Sequence, residues 1–372
     1  MEERIYLSSP HQTGEESEAL QRVLKSNWLA PVGPDLNEFE QKISEATGFK
    51  YAVATSSGTA AIHLGLQILG VTPRDHVMAS TMTFIGAVNP ILYQNAKPIF
   101  IDSESDSWNI DVELVKKYLL TESLKVKAIL PTYLYGMPAG AIELEALGKT
   151  KGIAVLHDLA ECFAGKVKGE QMGQFLTRGI LSFNGNKLIT TSGGGAFVTN
   201  IKEEADMALY LATQAKSESV AYHHEQIGYN YRMSNVLAAL GIAQIKGLEH
   251  KVESKKAIFE CYKRELSPLG LKFQHQPEGV ESDRWLTAVL LDQGMQISID
   301  EVVQKMNHQN IEVRPIWKPM HLQPVFHDES ICGGQVSESL FARGLCLPSG
   351  CGLMAEQQMR VIETLKSTIF NH

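Results

Sequence analysis

The sequence is poor in cysteine and has no long apolar run, and both absences exclude classes of protein. Its five cysteines are scattered among 372 residues, and none belongs to a Cys-x-x-Cys pair. This usage argues against a disulfide framework or a zinc site and favours reduced thiols. Apolar runs stay well below the length of a membrane span, and the acidic start at residues 1–4 lacks the regions of a signal peptide. We therefore expect a cytoplasmic protein with no metal site and no membrane segment.

Positive charge is also scarce. The chain has 34 Lys and Arg residues against 42 Asp and Glu residues, a formal net charge of −8. This balance argues against nucleic acid or an acidic membrane as the main partner, so an anionic substrate would need a local cluster of basic side chains. The hydrophobic content of 44% and the charged content of 20% are ordinary for a globular protein, and the length allows two domains.

Short apolar segments alternate with helical ones through the first half of the chain. The predicted strands lie at 51–54, 77–79, 98–101, 128–131, 153–156 and 180–181. This alternation predicts an α/β fold whose central sheet is mostly parallel and is flanked by helices. Ligands of such sheets bind beyond the carboxyl ends of the strands, so the residues that follow each strand are the candidate site.

Two of these strand ends have residues suited to a phosphate and to a flat ring. Gly58 and Thr59 lie in a small hydroxyl- and glycine-rich turn between a strand and a helix, which can direct backbone N–H groups at a phosphate. The same turn is also typical of an ordinary helix cap. Phe84 follows the next strand, where its ring can stack on a ligand or pack in the core.

Acidic residues and one lysine follow the later strands. Asp158 and Glu161 come directly after a buried strand, where an uncompensated carboxylate is costly. Asp158 therefore indicates a cation or a protonated ring nitrogen, although it could also cap a helix. Lys187 lies in a small polar loop that ends in the triglycine 193–195. Because such a loop fixes the position of an amine, we hypothesise that Lys187 forms a Schiff base.

A phosphate cradle, an aromatic face, a carboxylate and a lysine are the four groups that pyridoxal phosphate needs. Its phosphate requires N–H and hydroxyl donors, and its ring requires a stacking partner. Its ring nitrogen stays protonated beside a carboxylate, and its aldehyde binds a lysine amine. The order of these groups at successive strand ends therefore indicates pyridoxal phosphate as the cofactor.

Eight segments spread over nearly the whole chain match the pattern of a known family, namely 57–61, 83–84, 134–136, 158–161, 182–195, 228–234, 314–321 and 345–350. The lysine loop and the Asn-Tyr-Arg-Met-Ser segment are the specific motifs among them. On these segments the chain resembles the DegT/StrS-type nucleotide-sugar aminotransferases, and within the family it most resembles the bacterial branch that acts on UDP-linked 4-keto-6-deoxy-N-acetylhexosamines.

The resemblance implies a type I aminotransferase fold and a homodimer with active sites at the subunit interface. It implies Lys187 as the Schiff-base lysine, Asp158 as the partner of the ring nitrogen, and Phe84 as the stacking residue. It places Glu161 near the ring hydroxyl. The implied phosphate-binding residues are Gly58, Thr59, Ser182 and, from the partner subunit, Asn230.

Two residues depart from the family pattern. Leu159 stands where alanine is common, and Ser80 stands where many members have proline. Neither change removes a chemical group, so we expect them to affect the shape of the pocket.

The last third of the chain predicts a smaller α+β domain. We expect a large cofactor-binding domain at 1–250 and a small domain at 251–372. A diphosphate would need basic partners in an acidic protein, although each of these cations, taken singly, is more often a solvated surface charge. The candidates are Arg232, Arg314, Lys318 and His321.

The sequence therefore predicts a ping-pong transamination, in which the resemblance implies L-glutamate as donor and carbon 4 of a nucleotide-linked 4-keto-6-deoxy sugar as acceptor. One alternative is a sugar dehydratase that uses the same cofactor, whose relatives carry histidine in place of Lys187. The other is a non-catalytic regulator that binds the cofactor or a sugar. The sequence does not determine the sugar, the nucleotide or the stereochemistry of the new amine.

Overall fold

The computed structural model describes residues 3–122 and 124–370. These residues form twelve α-helices: α1 (Glu16–Ser26), α2 (Pro34–Thr47), α3 (Gly58–Ile68), α4 (Ile85–Tyr93), α5 (Val112–Thr121), α6 (Ala141–Lys151), α7 (Lys202–Ala212), α8 (Asn235–Lys246), α9 (Leu248–Leu266), α10 (Ile299–His308), α11 (Gln335–Arg343) and α12 (Ala355–Phe370). Short 3₁₀ helices lie at Leu134–Gly136, Met172–Gln174, Ser267–Leu269, Met320–Leu322 and Pro324–Phe326.

The strands of the described residues are short, from two to five residues each. They are β1 (Tyr51–Thr55), β2 (His76–Ser80), β3 (Lys97–Ile101), β4 (Val126–Leu130), β5 (Ala154–Val155), β6 (His157–Asp158), β7 (Lys166–Val167), β8 (Glu170–Gln171), β9 (Arg178–Ser182), β10 (Gly195–Thr199), β11 (Lys272–Phe273), β12 (Val280–Glu281), β13 (Thr287–Leu290), β14 (Arg314–Pro315), β15 (Ser330–Cys332) and β16 (Gly344–Leu347).

The central sheet is mostly parallel, as predicted. Five parallel strands have the order β15-β3-β2-β4-β5, and four further strands have the order β1-β10-β9-β6. A parallel bridge between Thr132 and Asp158 connects the two groups. The exception is β10, which runs antiparallel to both of its neighbours. The reason is its connection to β9, which is a loop without the crossover helix that a parallel partner needs.

The predicted strand at 153–156 is two strands in the structure. β5 pairs with β4 and β6 pairs with β9, and Leu156 lies between the two pairings. Asp158 is consequently the last residue of a strand rather than a residue that follows one. The chain thus switches from pairing with β4 to pairing with β9 just before Asp158.

Helix α3 packs against the central sheet along most of its length. Every residue from Ala60 to Leu66 is buried, so this part of the helix is covered on all sides. A Cβ at Gly65 would lie 2.7 Å from a methyl carbon of Leu156, which shows how closely the helix approaches the strands. The N-terminus of α3 is therefore held rigidly at the edge where β1 ends.

The C-terminal part has its own antiparallel sheet in the order β11-β13-β16-β14, with a separate apolar core. The N-terminal segment joins this part, because Ile5 pairs with Ile311 and the Ser349 N–H donates to the Leu7 carbonyl at 2.8 Å. Helix α9 is continuous through residue 250. The division at that residue stays a proposal.

Two expectations about the chemistry of the chain can be compared with the structure. All five cysteines are free thiols. In the part of the chain that the structure describes, no helix has both the length and the apolar character needed to cross a membrane.

Candidate active site

One cavity of about 250 Å³ lies where β1, β6 and β9 end. It brings together residues that are up to 138 positions apart in the sequence, counted from Ser56 to Gly194. Seven of the predicted cofactor residues line it: Gly58, Thr59, Phe84, Asp158, Glu161, Ser182 and Lys187.

The N-terminus of α3 forms one wall of this cavity. Ser57 caps the helix, because its hydroxyl accepts the N–H of Ala60 at 3.0 Å. The first-turn N–H groups of a helix have no partner within the helix and favour an anion. A Cβ at Gly58 would lie only 3.1 Å from Cβ of Ser182, and one at Gly195 would lie 2.5 Å from the carbonyl carbon of Ser57. Glycine at both positions therefore lets three backbone segments meet around the anion-binding end of the helix.

Asp158 is buried in the opposite wall, with 3% of its surface exposed. Its Oδ1 accepts the N–H of Ala160 at 3.0 Å, and its Oδ2 accepts the hydroxyl of Thr132 at 3.2 Å. Burial raises the pKa of Asp158, while the Ala160 hydrogen bond, the Lys187 charge and the Thr132 hydroxyl lower it. A protonated nitrogen beside this carboxylate would compensate for its burial.

A chain of hydrogen-bonded hydroxyl groups ends at the carboxylate of Asp158. The N–H of Thr132 donates to Oγ of Ser80 at 3.0 Å, and the hydroxyls of Thr83 and Thr132 are 2.9 Å apart. Because Thr132 donates to the carboxylate, the hydroxyl of Thr83 must be the donor to Thr132. Sequence reasoning noted Ser80 only as a departure from proline and missed Thr132 altogether.

Lys187 reaches the cavity from the loop between β9 and β10. Its own N–H donates to the carbonyl of Asn184 at 3.0 Å, and its Nζ lies 3.8 Å from the ring centre of Trp285. Burial lowers the pKa of the Lys187 amine, while the charges of Glu161, Asp158 and Asp283 raise it. Sequence reasoning missed Trp285, because no signal in the sequence links it to Lys187.

Glu161 is held by two donors. The N–H of Tyr135 donates to Oε2 at 2.9 Å and the indole N–H of Trp317 donates to Oε1 at 3.0 Å. Burial raises the pKa of Glu161 to about 7, against the lowering effects of Lys187 and of these two hydrogen bonds. This carboxyl group can therefore exchange a proton near neutral pH.

Phe84 is 55% exposed, so its interpretation as a core residue is wrong. Its ring packs against Trp317 with the ring centres 5.4 Å apart and leaves one side toward the cavity that it lines. A flat ligand ring can stack on such a surface.

A second cavity of about 710 Å³ adjoins the first along the lysine loop. Asn186 and Trp285 form its wall on the side of Lys187, and Trp317 separates it from Phe84. Two predicted basic residues, Arg314 and Lys318, also line it. Arg314 is largely exposed and donates to Oε1 of Glu312 at 2.8 Å, so the carboxylate orients its guanidinium at the rim.

The structure does not bring three predicted residues to these cavities. The guanidinium of Arg232 is bound to the carboxylate of Glu40, with an Nη2 to Oε2 distance of 3.0 Å, and it also donates to a backbone carbonyl. Its charge is already paired, which gives no support for a diphosphate-binding role. His321 lies with Nδ1 2.6 Å from the Thr81 hydroxyl and Nε2 3.1 Å from Glu338.

The third of these residues is Asn230. Its side chain is exposed and its Oδ1 accepts the amide of Gln214 at 3.0 Å, away from the cavity of its own chain. A role in the cavity of a second subunit stays a proposal.

The residues of the smaller cavity fit pyridoxal phosphate. The start of α3 and the hydroxyl of Ser182 suit the phosphate, and the exposed ring of Phe84 suits the flat ring. The buried carboxylate of Asp158 suits a protonated ring nitrogen, and the amine of Lys187 suits the aldehyde.

Comparisons with known proteins agree with this fit. The model of the DegT/DnrJ/EryC1/StrS aminotransferase family matches residues 10–366. EpsN of Bacillus subtilis, whose name describes a pyridoxal phosphate-dependent aminotransferase, is 44% identical over 98% of this chain and 96% of its own length. GDP-perosamine synthase of Escherichia coli O157:H7 is 34% identical over 97% of each chain.

A further relative has a different nucleotide in its name. The UDP-4-amino-4,6-dideoxy-N-acetyl-beta-L-altrosamine transaminase of Campylobacter jejuni is 31% identical over 85% of this chain and 84% of its own length. Among solved structures, the aminotransferase TlmJ of Streptoalloteichus hindustanus superposes with a TM-score of 0.91, at 25% identity over 98% of each chain. The predicted aminotransferase fold is confirmed.

Proposed function

The chain belongs to the DegT/DnrJ/EryC1/StrS aminotransferase family and is a pyridoxal phosphate-dependent sugar aminotransferase, and from this premise we propose that it aminates carbon 4 of a nucleotide-linked 4-keto-6-deoxy sugar. The acceptor that we propose is UDP-2-acetamido-2,6-dideoxy-4-hexulose. The donor is L-glutamate, and the two half-reactions alternate at one site in ping-pong order.

The observation that carries this proposal is the larger cavity beside the cofactor cavity. Its volume of about 710 Å³ suits a ligand much larger than an amino acid, since pockets for small organic ligands span roughly 300–1,000 Å³. Arg314 and Lys318 line this cavity together with Glu312, which pairs with Arg314, so the formal charge of its lining is still positive in a protein that is acidic as a whole. We therefore propose that they bind the diphosphate, with the sugar directed toward Lys187.

Pyridoxal phosphate, when bound, supplies the aldehyde that carries the amino group and the ring that delocalises the electron pair of the substrate carbon. Lys187 supplies the amine that binds this aldehyde. Burial lowers the pKa of that amine, so its neutral form is more populated than in a surface lysine. We propose Nζ of Lys187 as the base that would move the proton between the substrate carbon and the cofactor's aldehyde carbon.

Asp158 and Glu161 divide the remaining proton chemistry. The two donors to Asp158 stabilise its ionised form, which would hold a proton on the ring nitrogen. Glu161 has a pKa of about 7 and would share a proton with the ring hydroxyl. Ser182, Gly58 and the hydroxyl of Thr59 would bind the phosphate at the start of α3.

Two classes of nucleotide sugar compete as acceptor. The relatives include a transaminase named for a UDP-linked sugar and a synthase named for a GDP-linked one, at 31% and 34% identity. We favour the UDP-linked sugar because the sequence motifs resemble that branch of the family most. A GDP-linked 4-keto-6-deoxy sugar is the second candidate, which the similarity to the synthase supports.

We further propose a homodimer in which Asn230 reaches the cofactor phosphate of the partner subunit. The side chain of Asn230 is exposed, and three apolar side chains in the preceding segment are at least 84% exposed, namely Val220, Tyr222 and Ile227. Exposed apolar clusters of this kind mark protein interfaces. The smaller cavity would then gain a phosphate donor that its own chain does not supply.

The decisive experiment incubates the holoenzyme and L-glutamate with UDP-, GDP- and dTDP-linked 4-keto-6-deoxy sugars, and identifies each product by NMR. We expect a 4-amino product with the UDP-linked N-acetyl sugar and formation of 2-oxoglutarate in equal amount. The Lys187→Ala variant is the matched control without the amine. Turnover of the GDP-linked sugar alone would replace our acceptor with the second candidate, and full turnover by Lys187→Ala would refute the mechanism.

A further inference from the structure

The indole of Trp285 is buried beside the lysine loop and is held there by hydrogen bonds. It is 1% exposed, and its Nε1–H donates to the carbonyl of Asn186 at 2.7 Å. Its backbone is held from both sides, because its N–H donates to Asp283 at 3.2 Å and its carbonyl accepts Nζ of Lys255 at 2.7 Å. The ring is also stacked on Tyr135, with an angle of 13° between the planes. The orientation of the indole face is therefore set before any ligand binds.

The amine of Lys187 lies on this face. Its Nζ is 3.8 Å from the ring centre, well within the distance of about 6 Å at which a cation is attracted to an aromatic face. Two carboxylates, Asp158 and Glu161, act on the amine only through their charges, since no ion pair of 4 Å or less within the described residues includes Lys187. The indole is thus the surface that the amine contacts.

Lys187 also lies at the junction of the two cavities. It lines the smaller cavity with Asp158, while Trp285 and Asn186 line the larger one. Rotation of the Lys187 side chain would carry the amine between the cofactor side and the indole face. A transaminase needs such a second position, because its lysine leaves the cofactor and must remain nearby in each half-reaction.

We propose that the face of Trp285 is a positioning site that holds the amine of Lys187 whenever this amine is not bonded to the cofactor. The inference rests on the proposed role of Lys187 and adds a residue to it. The negative face of the ring stabilises the protonated amine, which opposes the effect of burial. The indole thereby keeps the displaced amine oriented and within reach of the substrate carbon.

The test chiefly changes the electrostatics of the ring. Tryptophan analogues with one, two or three fluorine atoms on the benzo ring would be incorporated at position 285, where they keep the shape and the N–H donor. The enzyme would be loaded with pyridoxamine phosphate, to which Lys187 cannot be bonded. The readout is the pKa of the Lys187 amine, obtained from the pH dependence of its reaction with a small neutral acylating reagent and quantified by mass spectrometry.

Because fluorine withdraws charge from the ring face, we expect the pKa of Lys187 to fall stepwise, by about one unit over the series. The matched control is the same series at Trp108, which is equally buried and also packs against Tyr135, whereas the ring that Lys187 lies over is that of Trp285. An unchanged pKa at position 285, or an equal fall with the two series, would overturn the inference. The readout involves no sugar, so its failure is distinct from an incorrect acceptor in the proposed function.

Discussion

Replacing Thr132 by valine would test the support of Asp158. The hydroxyl of Thr132 donates to Oδ2 of this carboxylate at 3.2 Å, and both residues are buried. Valine keeps the shape of the side chain and removes the donor. Thr83 loses its acceptor in the same variant, because its hydroxyl is 2.9 Å from that of Thr132. The substitution thus interrupts the hydroxyl chain at its centre.

The expected magnitude follows from the charge of the acceptor. A hydrogen bond to an ionised group contributes about 1.5–3 kcal/mol, and about 1.4 kcal/mol corresponds to a factor of ten. The Thr132 hydroxyl lowers the pKa of Asp158, so its removal should raise that pKa. Asp158 would then hold the ring proton less well, and kcat should fall by about ten- to hundred-fold.

The assay combines the rate of the glutamate half-reaction with its pH dependence and with the affinity for pyridoxal phosphate. Because Asp158 must be ionised to act, the acidic limb of the rate profile should move to higher pH in Thr132→Val. The control Thr132→Ser keeps the hydroxyl and should retain most of the rate. A rate within twofold of the wild type and an unmoved acidic limb in Thr132→Val would refute the reasoning.

Three further experiments test other parts of the site. Trp317→Phe removes a hydrogen-bond donor that lowers the pKa of Glu161, so this pKa should rise above its wild-type value of about 7. If Glu161 shares a proton with the ring hydroxyl, the midpoint of the pH titration of the bound cofactor's absorbance should rise with it. Gly195→Ala should lower the free energy of unfolding by about 1–3 kcal/mol through overpacking and weaken cofactor binding, as measured by denaturation and by titration. A mixture of inactive Lys187→Ala and Asn230→Ala chains should regain activity, because hybrid dimers would contain one intact site.

Two of these predictions have a matched control variant. Gly193→Ala is matched to Gly195→Ala, because a Cβ at Gly193 would meet nothing within 4 Å. Trp108→Phe controls for the loss of a buried indole away from Glu161. A midpoint that stays in place in Trp317→Phe would contradict the hydrogen-bond argument. A mixture that remains as inactive as its parent chains would argue against a site shared between subunits.

The sequence was sufficient to predict the sheet and the cavity-lining residues at its strand ends, because both follow from local signals. Strand ends are marked by a change from apolar to polar residues, and the carboxyl ends of parallel strands meet at one edge. Gly58, Phe84, Asp158 and Lys187 were found in this way, and they line one cavity. The assignment of their roles within this cavity stays a prediction.

The residues that support these groups could not be predicted, because their partners are distant in sequence. Ser80 and Thr132 are 52 positions apart and join only through the pairing of adjacent strands. Arg232 carried a charge that suited a diphosphate, but its partner Glu40 lies 192 positions away. No spacing rule relates such pairs, so the sequence cannot distinguish a neutralised arginine from a free one.

The hairpin that carries Lys187 also limits how the amine can move. Its base is closed by the pairing of Ser182 with Gly195, and Phe183 binds the carbonyl of Gly194 at 2.9 Å and the N–H of Thr191 at 3.0 Å. The loop therefore cannot move as a unit without breaking these backbone hydrogen bonds. The amine must change position by rotation of the lysine side chain alone. Such rotations take roughly picoseconds to nanoseconds for exposed side chains, whereas typical enzymes turn over at about 1–1,000 s⁻¹. Even a strongly slowed rotation is faster than turnover, so the reach of the lysine does not set the rate of the enzyme.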